Sequence, residues 1–221
     1  MKFSADPAEN AFSLKRDDLQ VGWCMVSDLK KESFLNGDLD HGLPFAVSLA
    51  FPLLNSVIDS IIEKPNKIYQ QHYRSVNNFL NQEALTLSSQ IQKSGFDACP
   101  VPVSVSVEPL RGHLSHRMAA MLSGLGWIGR SSLLITPEYF ARVRLVTILT
   151  DLPLPQPEKL LENNCGDCGK CRDICPVKAI QDDAHDIKRE VCFKYLDSLL
   201  DRGIVEEHIC GLCVKVCQGG D

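Results

Sequence analysis

Eight cysteines in the last 57 residues are the part of this sequence whose type and spacing could do chemistry. The first four follow the spacing C-x2-C-x2-C-x3-C and precede a proline, and they are Cys165, Cys168, Cys171 and Cys175. Thiolates at this spacing can wrap an iron–sulfur cubane, each reaching a different iron atom. A second, looser set consists of Cys192, Cys210, Cys213 and Cys217. Two [4Fe-4S] clusters need eight thiolates, so the sequence predicts a protein that transfers electrons.

The ligands are expected to be exchanged between the two sets. In two-cluster ferredoxins the fourth cysteine of the run binds the other cluster. The same exchange here predicts that cluster I is bound by Cys165, Cys168, Cys171 and Cys217. Cluster II is then expected to take Cys175, Cys192, Cys210 and Cys213. The second set departs from the standard run, since 18 positions separate its first two members and Gln218 stands where proline is usual, but no thiolate is lost.

Zinc and disulfides are the alternative uses of these cysteines. Structural zinc sites are usually built from two cysteine pairs separated by a longer loop, which a tight triple fits poorly. Disulfides need an oxidising compartment, and no signal sequence opens the chain, so the expected location is the cytoplasm. No apolar run approaches the roughly 18 residues of a membrane span, so no membrane contact is expected.

Charge is distributed unevenly along the chain. Residues 1–150 carry 14 acidic and 14 basic side chains, whereas residues 151–221 carry 14 acidic and 9 basic ones. The cysteine-rich segment is therefore acidic and a poor surface for gripping nucleic acid. In contrast, the stretch from Pro109 to Thr150 contains five arginines and no lysine. Because the guanidinium group suits phosphate and carboxylate, an anion site is expected from Arg111, Arg117, Arg130, Arg142 and Arg144.

The elements that must position these residues divide at the prolines that follow Asp151. This boundary predicts an α/β domain over residues 1–152 and a cysteine-rich domain over residues 157–221. The clearest periodicity predicts a helix over Lys67–Lys93, with an apolar face formed by Tyr69, Tyr73, Val76, Leu80, Ala84, Leu87 and Ile91. A second helix is predicted over Leu114–Ser123. The predicted strands are Val21–Val26, Pro44–Phe51, Ala98–Val107, Ser131–Thr136 and Val143–Thr150.

Gly124, Gly126 and Gly129 match the dinucleotide fingerprint G-x-G-x-x-G. That fingerprint requires a strand before the glycines and a helix after them. Here the predicted order is reversed, so a dinucleotide site is not expected. We predict instead a tight turn that lets the backbone approach a flat cofactor, with Trp127 packing beside it.

Several motifs together resemble the epoxyqueuosine reductase family, which is related to the corrinoid-dependent reductive dehalogenases. They are residues 116–117 (HR), 124–129 (GLGWIG), 132–136 (SLLIT), 148–154 (ILTDLPL) and the cysteine run. The resemblance covers roughly residues 100–217 and, more faintly, the helix that carries Tyr69 and Tyr73.

The resemblance implies an α+β protein. A nitroreductase-like α/β N-terminal domain would be followed by a small ferredoxin-like two-[4Fe-4S] module, with cobalamin held between them. Electrons would pass through the clusters to the cobalt for the reduction of a small molecule. The residues expected at the cofactor are His116, Arg117, Gly124, Gly126, Trp127, Gly129, Arg130, Tyr69 and Tyr73.

The sequence also departs from the family's pattern. Arg130 stands in place of the family's usual lysine, and no aspartate lies between Asp97 and Asp151 to donate a proton. Glu108 is the nearest carboxylate and the candidate catalytic acid. The chain ends at Asp221 without the extension of the longer tRNA-acting enzymes and its C-terminal segment is acidic, so tRNA is not the expected substrate.

Other functions stay open on the sequence alone. The chain could be a non-catalytic ferredoxin-type electron-transfer protein that docks a partner enzyme. FMN is a less expected occupant of the α/β domain than cobalamin. The remaining cysteines, Cys24 and Cys99, lie in apolar segments and are expected to be core thiols.

Overall fold

The computed structural model describes residues 17–29, 42–105, 111–155, 160–162, 165–183 and 186–218. Its strands are β1 (Gln20–Met25), β2 (Phe45–Pro52), β3 (Ala98–Val101), β4 (Trp127–Ile128), β5 (Leu134–Ile135) and β6 (Val143–Thr150). Its helices are α1 (Asn55–Asp59), α2 (Lys67–Lys93), α3 (His116–Leu122), α4 (Lys170–Ile174), α5 (Arg189–Asp201) and α6 (Leu212–Val216). The described part of the chain is therefore a mixture of helices and strands, as predicted.

The described residues form two compact units that are interleaved along the chain. One unit groups those within 1–51, 77–125 and 145–161, and the other groups those within 52–76, 126–144 and 162–221. This differs from the predicted division into residues 1–152 and 157–221. Residues 52–76 and 126–144 group with the cysteine-rich segment because they contact it. The position of prolines along the sequence gives no information about such contacts between distant segments.

The first unit contains a four-stranded sheet in the order β1-β2-β6-β3. Strands β1 and β2 pair antiparallel from Gln20 opposite Ala50 to Met25 opposite Phe45. Strands β3 and β6 also pair antiparallel, with Ala98 opposite Thr150. Strand β2 is buried over five consecutive residues and β6 over its last five, which is why both segments read as continuous apolar runs.

The core of this unit packs strand residues against helix α3. Its buried members are Cys24, Leu29, Leu43, Ala46, Val101, Leu114, Ala119 and Leu149. The half-buried Cys99 packs against the same cluster. Burial raises the pKa of the Cys24 thiol to about 11, so this cysteine is protonated at neutral pH. Both cysteines therefore lie in apolar packing, as expected from the sequence.

Helix α2 has the bounds that its periodicity predicts. Its first turn is capped by Asn66, whose side-chain Oδ1 accepts a hydrogen bond from the Tyr69 backbone N–H at 2.8 Å. The predicted apolar face is buried at Tyr69, Val76, Leu80, Ala84, Leu87 and Ile91, and Tyr73 is half-buried. None of the described helices is long and apolar enough to cross a membrane.

Other predicted elements are shorter than expected. Strand β5 occupies only two of the six residues predicted over Ser131–Thr136. Strand β3 ends at Val101, and the end of its predicted range at Val107 lies outside the described residues. Beyond Val101 the backbone is held by a side chain, since the Val103 N–H donates to Asn81 Oδ1 at 3.0 Å.

His72 provides a pH-sensitive contact between helix α2 and the chain that precedes helix α1. Its Nε2 atom accepts a hydrogen bond from the Leu54 backbone N–H at 3.1 Å, so that nitrogen must be unprotonated. Burial lowers the pKa of His72 below its ordinary value of 6.5. We expect this contribution to stability to be present above pH 6.5 and to be lost as the pH falls below it.

The variant His72→Gln tests this, because a glutamine oxygen can accept the same bond without titrating. We expect unfolding in urea to show that the wild type loses about 1 kcal/mol more than the variant between pH 7.5 and 5.5. His113→Gln serves as the control and should keep the wild-type pH dependence. An identical pH dependence in His72→Gln and the wild type would contradict the interpretation.

Candidate metal centre

Four cysteines gather around the first part of the cysteine run. Burial raises the pKa of the Cys171 thiol, and the neighbouring thiolates of Cys217, Cys165 and Cys168 raise it further. Cys165 and Cys217 also pack against one apolar cluster formed by Trp127, Ile135 and Ala141. Cys217 thus lies with the first three cysteines although 42 positions separate it from the last cysteine of the run, Cys175.

Cys175 lies with the other group. Burial raises the pKa of Cys213, and the thiolates that raise it further are Cys210, Cys192, Cys171 and Cys175. The pKa of Cys210 is raised to about 11 by burial, with added repulsion from Cys192 and Cys175. The side chains of Cys171, Cys192 and Cys213 pack against the buried cluster of Cys175, Ala179 and Ile180. Cys217 therefore lies with Cys165 and Cys168, and Cys175 lies with Cys192, Cys210 and Cys213, while Cys171 has neighbours in both groups.

This donor set fits iron–sulfur clusters. Thiolates bind iron in their deprotonated form, and raised pKa values show that crowded, buried thiols resist deprotonation without a neighbouring cation. In the described part of the chain, no three or more His, Cys, Asp or Glu side chains are grouped to hold one metal ion. A cubane does not require that grouping, since its four thiolates bind four separate iron atoms.

The glycine motif forms a hairpin that packs on the first group of cysteines. Helix α3 precedes it and the antiparallel pair β4–β5 follows, with Trp127 opposite Ile135. This is the predicted reverse of the dinucleotide order. A Cβ atom on Gly129 would lie 2.6 Å from Ile135 Cγ1 and 3.2 Å from Cys165 Sγ, and one on Gly126 would clash with the Ile135 carbonyl oxygen. Glycine is required here because strand β5 and a cysteine sulfur occupy the space.

Trp127 lies in the same hairpin and is only 6% exposed. Its indole Nε1 atom has no hydrogen-bond partner among the described residues. A buried N–H group normally has an acceptor. This orphaned donor, in a cluster that also contains Cys165 and Cys217, is compatible with a polar group bound beside it.

Arg130 binds the loop of the first cysteine group rather than facing solvent. Its Nε donates to the Asp182 carbonyl at 2.8 Å and its Nη2 to the Gly166 carbonyl at 2.8 Å. Its Nη1 donates to the Cys168 carbonyl. The three guanidinium nitrogens of Arg130 are thus bound by three backbone oxygens. The cofactor contact that the sequence predicts for this residue stays a prediction.

A polar clamp, formed by Lys67, Gln70, Arg74, Glu206 and Glu207, holds the turn before Cys210. Lys67 Nζ lies 2.9 Å from Glu206 Oε1, and Arg74 lies 3.1 Å from Glu206 Oε2 and 2.8 Å from Glu207 Oε1. The Glu206 backbone N–H donates to Gln70 Oε1 at 2.8 Å. Hydrogen bonds from Lys67 and Arg74 lower the pKa of Glu206 to about 2, so it is ionised at neutral pH.

Arg142 anchors helix α6, which follows Cys210. Its guanidinium group donates to Asn55 Oδ1 at 2.7 Å, Asp59 Oδ1 at 2.8 Å and the Lys215 carbonyl at 2.8 Å. Lys215 Nζ in turn donates to the Ile61 carbonyl. The predicted anion site is therefore not supported at Arg142, because protein oxygens already occupy its guanidinium group.

Of the two predicted tyrosines on helix α2, Tyr69 lies near the second cysteine group. A Cβ atom on Gly211 would lie 2.8 Å from Tyr69 Cε1, so Tyr69 packs against the residue that follows Cys210. Burial raises the pKa of Tyr69. Arg144 lies over the Tyr73 ring, 4.3 Å from its centroid.

The remaining predicted residues lie elsewhere. His116 begins helix α3 in the first unit and pairs with Thr147 Oγ1 at 2.9 Å and the Pro102 carbonyl at 3.3 Å. Arg117 follows it, and Gly124 ends the turn after the helix. Glu108 lies outside the described residues. The structure thus places Gly126, Trp127, Gly129 and Arg130 in or beside the hairpin that packs on the cysteines. The proposed role of Glu108 is not tested by the described residues.

The clamp is the part of the site that sequence reasoning missed. Its helix residues and its glutamates are more than 130 positions apart. The only signal in the sequence is a pair of adjacent glutamates shortly before Cys210, and such pairs are common on protein surfaces.

Comparison with known proteins supports the cluster motif. Residues 159–181 match the family described as "4Fe-4S binding domain", which covers the first cysteine run. Over 117 residues the chain is 36% identical to the epoxyqueuosine reductase of Bacillus cereus, covering 48% of this chain and 30% of that protein. Over 158 residues it is 30% identical to the epoxyqueuosine reductase of Escherichia coli, covering 69% of this chain and 39% of that protein.

The resemblance predicted from the motifs is thus confirmed: the chain is similar to epoxyqueuosine reductases, and its first cysteine run matches a 4Fe-4S binding domain. The chain spans between 30% and 39% of the length of these two relatives.

Solved structures share its fold. A catabolic reductive dehalogenase superimposes with a TM-score of 0.71 at 19% identity, covering 89% of this chain and 29% of the other. A reductive dehalogenase whose structure suggests a mechanism for B12-dependent dehalogenation gives 0.68 at 20% identity, covering 90% and 29%. An epoxyqueuosine reductase with an epoxyqueuosine-modified tRNA stem loop gives 0.63 at 19% identity, covering 96% and 64%.

The hairpin contacts predict different costs for two glycine substitutions. In Gly126→Ala the new methyl group meets the Ile135 carbonyl of a paired strand, which cannot yield, and we expect a loss of about 2 kcal/mol or more. In Gly169→Ala the methyl group meets only the end of the Arg172 side chain, 2.6 Å away, which can rotate. Urea unfolding should therefore leave Gly169→Ala close to the wild type; equal losses would contradict the packing described.

The polar clamp predicts a salt-sensitive attachment of the second cysteine group. We expect Glu206→Gln to lower the urea midpoint at low ionic strength and the difference to shrink at high salt, because exposed ion pairs are screened. Glu63→Gln, the same change at another exposed position, is the control. A salt-independent difference between wild type and Glu206→Gln would count against the clamp.

Proposed function

We propose that this chain is an iron–sulfur reductase of the epoxyqueuosine reductase type, in which two [4Fe-4S] clusters carry electrons to a second redox cofactor. The observation that carries the proposal is the grouping of the eight thiols. Cys217 joins Cys165, Cys168 and Cys171, while Cys175 joins the later cysteines. This exchange is the arrangement of two-cluster ferredoxins, and it argues for the same ligand sets here.

The residues that would hold the clusters are the eight cysteines described above. Cluster I would be bound by Cys165, Cys168, Cys171 and Cys217, and cluster II by Cys175, Cys192, Cys210 and Cys213. When bound, such clusters supply one-electron transfer at low potential. The protein's own contribution is to bury the thiols, exclude water and hold the loops, through the hairpin, the polar clamp and Arg142.

For the architecture, we propose a ferredoxin-like two-cluster module over residues 157–221 and a nitroreductase-like α/β domain over residues 1–152. The fold shared with reductive dehalogenases and epoxyqueuosine reductases supports this reading. The interleaved units mean that the module's packing partners, at 52–76 and 126–144, come from the N-terminal range.

The second cofactor in this proposal is cobalamin, and FMN is the less favoured choice. The support is the shared fold with a dehalogenase whose structure suggests a B12-dependent mechanism. The residues proposed to contact it are His116, Arg117, Gly124, Gly126, Trp127, Gly129, Arg130, Tyr69 and Tyr73. Glu108 is proposed as the proton donor because it is the nearest carboxylate in the sequence.

The substrate is proposed to be a small molecule or a modified tRNA. The acidic cysteine-rich segment argues for a small molecule. One protein of the same fold was solved with a tRNA stem loop, which argues against the expectation from sequence that tRNA is an unlikely substrate.

The proposal is tested by purifying the protein without oxygen from cells supplied with cobalamin and measuring iron, cobalt and flavin in one sample. About eight irons per chain with stoichiometric cobalt would support a corrinoid reductase. Eight irons without cobalt or flavin would favour the alternative of a ferredoxin-type electron-transfer protein that docks a partner enzyme. Zinc in place of iron would overturn the proposal.

Single cysteine substitutions test the ligand sets. Because Cys217 and Cys192 belong to different groups, we expect Cys217→Ser and Cys192→Ser each to lose about half of the iron and different EPR signals. Cys99→Ser, outside both groups, should keep the wild-type iron content. Loss of the same EPR signal in Cys217→Ser and Cys192→Ser would show that the two thiols share one cluster.

A further inference from the structure

Arg130 combines two features that a surface arginine does not normally have. All three of its guanidinium nitrogens donate to backbone carbonyls, those of Gly166, Cys168 and Asp182. Two of these carbonyls lie inside the first cysteine loop. In the described part of the chain no carboxylate forms an ion pair with Arg130. Arg130 binds only the backbone carbonyl of Asp182, whose carboxylate pairs with Arg172.

The carbonyl contacts determine where the loop's N–H groups point. A trans peptide is planar, so the C=O of one residue and the N–H of the next point in opposite directions. Binding of the Gly166 and Cys168 carbonyls by Arg130 therefore turns the N–H groups of Asp167 and Gly169 away from the guanidinium. Neither N–H donates to a backbone carbonyl of the described residues.

We propose that Arg130 is a positioning residue for cluster I that raises its reduction potential. This inference rests on the proposed function. Arg130 holds the loop so that the N–H groups of Asp167 and Gly169 face the cluster sulfurs, and it adds a positive charge that no described carboxylate neutralises. One-electron reduction gives the cluster one more negative charge, and N–H donors and cations stabilise that reduced form.

The same contacts keep the loop ready to bind iron. Gly166 has a positive φ of 47°, and the Cys168 N–H donates to the Cys165 carbonyl at 3.0 Å, so the loop is already a tight turn. Gly129, next to Arg130, allows the close approach of Cys165 Sγ. Arg130 and the hairpin thus act on the same loop from adjacent positions.

The test compares Arg130→Gln and Arg130→Lys with the matched control Arg172→Gln. Arg172 also lies within the cysteine run, but its side chain binds the carboxylates of Asp173 and Asp182 and no carbonyl of the loop. Each protein is purified without oxygen, and its iron content is measured. Each cluster is then titrated with dithionite while its EPR signal is followed.

For Arg130→Gln we expect the midpoint potential of one cluster to fall by about 59 mV. This shift corresponds to a change of about tenfold in the equilibrium constant for one-electron reduction. The other cluster should be unchanged. In Arg130→Lys the charge remains but one ammonium cannot bind three carbonyls, so only part of the shift should be rescued. After exchange into D2O, ENDOR should show weaker deuteron couplings to the shifted cluster in both variants, and Arg172→Gln should match the wild type.

Equal shifts in Arg130→Gln and Arg172→Gln would reduce the effect to a general charge loss and overturn the inference, as would unchanged potentials in both Arg130 variants. If Arg130→Gln does not fold, the test rests on Arg130→Lys. Weaker deuteron couplings in that variant would support the inference, and couplings equal to those of the wild type would overturn it. The wild type separates this inference from the proposed function. Wild-type protein without two cluster signals overturns both, whereas wild-type signals with unaltered variants overturn only the role of Arg130.

Discussion

The crowding of eight cysteine side chains, of which Cys175 is buried and the other seven are half-buried, is the constraint on which the rest of this site depends. Burial and the neighbouring thiolates together raise the pKa values of Cys171, Cys192, Cys210 and Cys213. A chain cannot hold such a group in its deprotonated form without compensating positive charge, which the iron of the proposed clusters would supply. The surrounding protein must therefore be rigid enough to keep the thiols together. It must also supply polar side chains that bind the backbone of the cysteine loops, which have little regular structure.

Three sets of contacts meet that need, and each comes from outside the cysteine-rich segment. The β4–β5 hairpin packs on Cys165 and Cys217, and Arg130 at its turn binds the first loop. The polar clamp of helix α2 holds the turn before Cys210. Arg142 ties helix α6 to α1 through Asp59 and the Lys215 carbonyl. Two of the five arginines that suggested an anion site in the sequence, Arg130 and Arg142, are thus committed to protein oxygens.

These contacts change the interpretation of the glycine motif. Its glycines do not open a helix towards a phosphate. They remove side chains where a strand and a cysteine sulfur approach, so the motif belongs to the support of the metal centre.

The sequence by itself determined the features that depend on local spacing. The cysteine run, the bounds and buried face of helix α2 and strand β6 are periodic or contiguous, so hydrophobic pattern and ligand spacing were enough to predict them. Only the tertiary structure decided which distant segments meet. The clamp joins residues more than 130 positions apart, and the two compact units interleave along the chain, which a linear sequence pattern does not reveal. From the sequence, Arg130 is predicted to bind an anion. The structure shows that it binds three backbone carbonyls instead, because the fold places those carbonyls around its guanidinium group.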